Sequence, residues 1–242
     1  MQPRFIALMA TILPLLAINF AYLLSAMAEH IPWCVPYFHG CTSISRAARQ
    51  GDAIYLFRVV MIVNAVLMIW YWLYIKSWLT QLAGKPNMVF VIILFLGIIG
   101  ALGVILYADF LGETERIHRK FRMLGVALYF TMTPMALLIQ TNVLTKLNLR
   151  NATPVVPKGV IHYQTMLCVL MFLCAVIGAL YEVMDWDTNE TENILEWNFV
   201  VVMSLFYLSN AKVWYDSRFS LHLGGVPVLP SQLNSSHRND RN

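Results

Sequence analysis

The polar chemistry of this chain is sparse and gathered in short stretches. The first runs from Cys41 through Thr42, Ser43, Ser45, Arg46 and Arg49 to Asp52 and Phe57. Its arginines and hydroxyls suit a phosphate, because a guanidinium forks onto two oxygens and hydroxyls complete the cradle. Arg46, Arg49 and Arg58, with the acid Asp52, are the candidate lipid-headgroup residues. Arg58 lies just inside an apolar run. A cation there must snorkel, face water, or pair with Asp52, Glu182 or Glu196. The second stretch runs from Glu113 to Arg122 and holds His118, whose imidazole suits acid–base work near neutral pH. The same charges also read as a solvated helix start. The third is Glu196-Trp197, where an acid opens an apolar run. It would anchor a helix through the dipole, or pair with Arg58 or His118. Ser45, His118 and Glu196 form the candidate catalytic set, with Ser43 as the other possible nucleophile.

Cys34 and Cys41 share a segment stiffened by Pro32 and Pro36. In an oxidising compartment they would form a disulfide. Free thiols, or a metal site with His30 and His39, are the alternatives, and this cysteine spacing matches no common ligand set. No metal and no cofactor is expected: the chain has no phosphate-binding glycine loop, no His-Glu-x-x-His and no paired intramembrane histidines.

These groups need elements to hold them, and composition says which. The 242 residues are 59% hydrophobic and only 12% charged, with mean hydropathy +0.62. A soluble domain is about 25% charged and cannot hide so much apolar surface. Lipid accepts it, provided the backbone is satisfied within helices or a closed barrel. The apolar runs are continuous and long, so helices are expected rather than alternating barrel strands. Six spans follow, at Phe5–Met27, Ile54–Ile75, Met88–Tyr107, Met123–Leu144, Tyr163–Val183 and Trp197–Tyr215. The fold class is therefore all-α, a polytopic bundle over residues 1–223 with a polar, disordered tail over 224–242. Arg4 and Ala26-Met27-Ala28 mimic a signal peptide, but the apolar stretch is too long for one and reads as a span.

The loop cations favour cytoplasmic termini, with loops 28–53, 108–122 and 184–196 extracytoplasmic. The acids, Asp216 and Asp240 apart, gather on that outer side. The layout suits a bacterial inner membrane, or a eukaryotic endomembrane or plasma membrane. Trp70, Tyr71, Trp72, Tyr74 and Trp78 are expected in an interfacial belt at the inner end of the second span. Gln140, Thr141, Asn142 and Asn64 are expected to hydrogen-bond between helices. Gly97, Gly100 and Gly103 form a small-residue face for close helix packing, or for docking a membrane partner. The net charge of +4 is scattered, so no nucleic-acid partner is expected.

The ordered motifs carry a resemblance. Ser43-Ile44-Ser45 running to Phe57, then His118, Phe130 and Gln140-Thr141, then Glu196-Trp197, resemble the six-span membrane family of DRAM, the FGF-receptor-activating protein and the GPI-anchor remodelling proteins. In the first loop the chain has Ser45-Arg46 and Gly51-Asp52 where relatives often show Ser-Asp and Pro-Glu, so Asp52 is the nearest substitute for an acid there. The resemblance implies lipid-linked work: GPI-lipid remodelling, control of lipid asymmetry, or regulation of a lipid kinase. The leading expectation is lipid handling at the outer leaflet, from a cavity between spans two, four and six. A scaffold or regulatory subunit is the alternative, and a lipid acyltransferase or hydrolase using His118 the second. No span carries the repeated charges of a pump or voltage sensor.

Overall fold

A computed structural model describes residues 2–113, 115–151, 153–184, 189–217 and 219. Among them are eight helices: α1 (Pro3–Met27), α2 (Pro36–His39), α3 (Ile44–Ala48), α4 (Ala53–Ala83), α5 (Met88–Asp109), α6 (Arg116–Arg150), α7 (Lys158–Val183) and α8 (Asn189–Asp216). The six long ones are apolar and long enough to cross a membrane, at the six expected places. They overrun the expected spans. α6 begins with the charged turn at Arg116, and α4 continues to Ala83, where Gly84 ends it at φ +68°. The expected tail, together with Asp185, Trp186 and Asp187, lies outside the described residues, as does the side chain of Glu182.

The long helices close into a ring. α1 packs on α4, α4 on α5, α5 on α6, α6 on α7, α7 on α8, and α8 back on α1. Short α2 rests on α8, and α3 on α1, α4 and α8, at one end of the bundle. Close approach of α5 to its neighbours needs its glycines. A Cβ on Gly97 would sit 2.1 Å from Trp72, one on Gly100 2.3 Å from Thr133 Oγ1, and one on Gly103 2.8 Å from the Gly125 carbonyl oxygen. All three are buried against the chain's own α4 and α6. The small-residue face is thus a packing face, and no exposed glycine remains on it for a partner to meet.

The ring's centre is filled. Tyr71, Trp72, Tyr207 and Trp214 are fully buried, and Trp78 nearly so. Tyr71 meets Tyr207 edge-on at 4.8 Å, and Trp78 meets Trp214 at 5.9 Å. The belt expected from α4 is therefore mostly core: only Trp70, 51% exposed, faces outward. The reason is phase. Positions 71, 75 and 78 share the face turned to α8, whereas Trp70 lies round the helix.

A polar knot ties α8 to its ring neighbour α7 and also to α4 and α6 across the bundle. Asn210 of α8 donates to Tyr71 Oη of α4, and its oxygen accepts from Gln140 of α6 at 3.2 Å and Gln164 of α7 at 3.0 Å. Gln164 also donates to Ser209 at 2.9 Å. Without water, unpaired amides are costly, so such groups find one another across the bundle. Gln140 does what was expected of it. Thr141 is buried, donates to the Leu137 carbonyl of its own helix and also contacts Cys168 Sγ of α7 at 3.8 Å, whereas Asn64 donates to Met68 of its own helix at 3.6 Å. Asn142 is exposed, one position off the buried stripe.

Candidate functional site

The loop after α1 is built around a disulfide and clamped by α8. Cys34 and Cys41 are bonded to each other. Tyr22 Oη accepts from Cys34 N and donates to Cys34 O, both at 2.7 Å. From α8, Asn193 donates to Gly40 O at 2.7 Å, Trp197 Nε1 to Thr42 O at 2.9 Å, and Asn198 to Tyr37 O at 2.9 Å. Gly40, at φ +59°, lies so close to α8 that a Cβ would fall 2.0 Å from the Glu190 carbonyl oxygen.

Glu196 is the fourth point of this clamp. Its Oε2 accepts from Ile44 N at 3.2 Å. That amide belongs to the first turn of α3, where it has no intrahelical acceptor. Ser43 caps α3, accepting from Arg46 N at 3.1 Å, and its hydroxyl contacts Ser45 Oγ at 3.3 Å. Short α3 thereby holds Arg46 exposed and Arg49 half-buried at its end.

Arg49, at the end of α3, lies beside the turn after α5 and within electrostatic reach of Arg46 and of Arg122 in α6. Arg49 feels the charges of Arg122 and Arg46, and burial together with those cations pulls its guanidinium below its ordinary value. Tyr107 of α5 lies within electrostatic reach of Glu196, Arg122 and Arg49. Its hydroxyl is buried without a hydrogen-bond partner. Beneath lies a narrow cavity of ≈ 20 Å³ lined by Ile44, Phe57, Tyr107, Tyr129, Phe130 and Glu196 among others. That is room for about one water, not for a lipid headgroup. The cavity expected between spans two, four and six is thus present, lined by Phe57, Tyr129 and Glu196, but it is small. A headgroup would have to sit above it, at the arginines.

Arg58 stands apart. Its Nε donates to Ala108 O at 3.1 Å and an Nη to Leu111 O at 2.9 Å. It satisfies carbonyls at the C-terminal end of α5 and complements that helix's negative end. Among the described residues neither Asp52 nor Glu196 pairs with it, and the third expected acid, Glu182, has its side chain outside them. Asp52 is exposed at the start of α4 and makes no capping bond. His118 faces Glu113 and Glu115 at 3.7 and 3.8 Å and stacks on Phe110 at 5.1 Å. Among the described residues no hydrogen bond joins His118 to Ser45 or Glu196, so the three candidate catalytic groups are not assembled into a relay.

A family model described as Frag1/DRAM/Sfk1/Cwh43P N-terminal domain matches residues 4–212. The chain belongs to this family. Comparison with curated proteins and with solved structures gives no match. For this Frag1/DRAM-family chain, the Glu196-Trp197 motif acquires a structural meaning: it fastens the loop after α1 to the last span. Sequence reasoning missed Arg122 and Tyr107 as members of the cluster. The signal for Arg122 was present in helical phase, since positions 122, 125, 129 and 133 fall on one face and Gly125, Tyr129 and Thr133 are buried.

Proposed function

We propose that this Frag1/DRAM-family membrane protein handles lipids by binding a phosphorylated headgroup at its disulfide end. The supporting observation is the convergence of Arg46, Arg49 and Arg122 beside the unpartnered Tyr107 hydroxyl, with no carboxylate in salt-bridge contact with them among the described residues. Like charges held together raise the energy of the empty site, and a phosphate relieves that repulsion while accepting forked hydrogen bonds. The disulfide and the loop charges support an oxidising, extracytoplasmic setting for this end. Arg58 fixes the end of α5, and so the position of Tyr107, rather than reaching the headgroup itself. The test is native mass spectrometry of gently purified protein. One phospholipid or glycolipid class retained at fixed stoichiometry, and lost in an Arg46→Gln/Arg49→Gln/Arg122→Gln variant, is expected. A random lipid mixture unchanged by the variant contradicts the reading.

A further inference from the structure

The opposite end of the bundle carries a second, larger cavity that the outer arginine cluster does not involve. It measures ≈ 500 Å³ and lies between the end of α4, the α4–α5 turn, the start of α5 and the last turns of α6. Lys85 of the turn and Lys146 and Arg150 of α6 line it, over an apolar floor that includes Phe90, Ile139 and Val143. The volume is that of an ordinary small-molecule or headgroup site.

Charge decides the occupant. Lys146 and Arg150 stand four apart on one helical face, where like charges repel. Lys85 adds a third cation from a different element. Among the described residues none of the three has a carboxylate within salt-bridge distance, and Asp216 is the only described acid at this end of the bundle. The α6 dipole compensates part of the charge, at Lys146 and Arg150 alone. The nearby pocket at the start of α1 differs, for its Arg4 is already engaged by Gln2 at 2.7 Å and by the Tyr215 ring.

We propose that this cavity is a binding site for an anionic glycerophospholipid of the leaflet at the termini end. Its phosphate meets Lys85, Lys146 and Arg150, and its first acyl segment lies on Phe90, Ile139 and Val143. Basic pockets between spans on the cytoplasmic side recognise such headgroups, since that leaflet carries the negative lipids. A soluble phosphate compound would use the cations but leave the apolar floor bare. The site does not depend on the outer arginine reading, and either stands if the other fails.

The test is thermal unfolding of the delipidated full-length protein in neutral detergent, titrated with phosphatidylglycerol, phosphatidylcholine or inorganic phosphate. A ligand that binds only the folded state raises the transition with its concentration. Phosphatidylglycerol is expected to stabilise, phosphatidylcholine and inorganic phosphate much less. The Lys85→Gln/Lys146→Gln/Arg150→Gln variant should weaken the phosphatidylglycerol effect on the order of a hundredfold in apparent Kd, from about a tenfold loss or less per cation. Lys212→Gln, in the neighbouring pocket, should leave the phosphatidylglycerol effect unchanged. A second measurement needs no variant: raising salt should erode the phosphatidylglycerol effect on the wild-type chain. Equal stabilisation by phosphatidylcholine, a triple variant that responds like wild type, or a salt-independent effect would each overturn the proposal. Stabilisation by inorganic phosphate alone would overturn the lipid assignment.

Discussion

At the residue scale, function and stability pull Arg49 in opposite directions. Its charge sits half-buried beside two other arginines, which costs the protein stability and, in the proposed function, is relieved by a bound phosphate. Arg49→Gln should therefore lower retention of the bound lipid class while leaving the thermal transition unchanged or slightly raised. A purely structural arginine would behave like Arg58, whose two carbonyl bonds are lost on substitution. Arg58→Gln is expected to destabilise by about 1–3 kcal/mol, because buried carbonyls lose charged donors. Parallel melting curves of the two variants separate the roles. Gly40 offers a sharper structural test. A Cβ there meets the backbone of Glu190, and the left-handed φ strains any other residue. Gly40→Ala should loosen the first outer loop from α8, read as faster proteolysis or reduction of that loop with the spans intact. Loop protection equal to wild type would show that the clamp does not depend on this contact.

At the element scale, the spans were legible and their inward faces were not. Continuous apolar runs announce a membrane helix, and the six runs predicted from hydropathy are the six long helices. Their ends were misplaced because solvated turns such as Arg116 to Arg122 are charged yet helical, which hydropathy cannot register. The aromatic run of α4 was read as an interfacial belt because a helix apolar all round gives no stripe to say which side faces the core. Only the partner helices decide, and Gly97 makes the space that Trp72 fills. The Glu196-Trp197 pair was legible as a motif but not as a clamp, since its partners Ile44 and Thr42 lie far away in sequence. The polar knot is the element-scale device most open to test. Asn210→Leu removes bonds to α4, α6 and α7 together and strands buried amides. Interhelical bonds in membranes are worth about 0.6 kcal/mol each. The variant should therefore lose about 2 kcal/mol in detergent unfolding, and Ser209→Ala about 0.6 kcal/mol or less. Equal losses would contradict a knot centred on Asn210.

At the scale of the whole molecule, the closed ring of six helices is filled rather than hollow. Aromatic rings occupy the middle and amides knot the half toward the termini, so chemistry is left to the two ends. The end with the disulfide carries arginines poised on a small, tight cavity; the other carries lysines and an arginine over a roomy apolar one. Locking the first is the disulfide, which closes a loop of separation 7. Its removal by Cys34→Ser/Cys41→Ser should cost about 2–3 kcal/mol in the chain-entropy account. The loss should appear as local opening of the outer loop, seen by hydrogen exchange, before the spans melt. The central claim, that a phosphorylated headgroup sits at the arginines of α3 and α6, is tested most directly by photo-crosslinking. The reconstituted protein would be exposed to a phospholipid with a photoreactive headgroup, and the labelled peptides mapped. The account predicts label on the peptides holding Ser43 to Arg49 and Arg116 to Arg122, and its loss in Arg49→Gln/Arg122→Gln. Label spread evenly over the lipid-facing helices, or confined to the Lys85, Lys146 and Arg150 end, would contradict it.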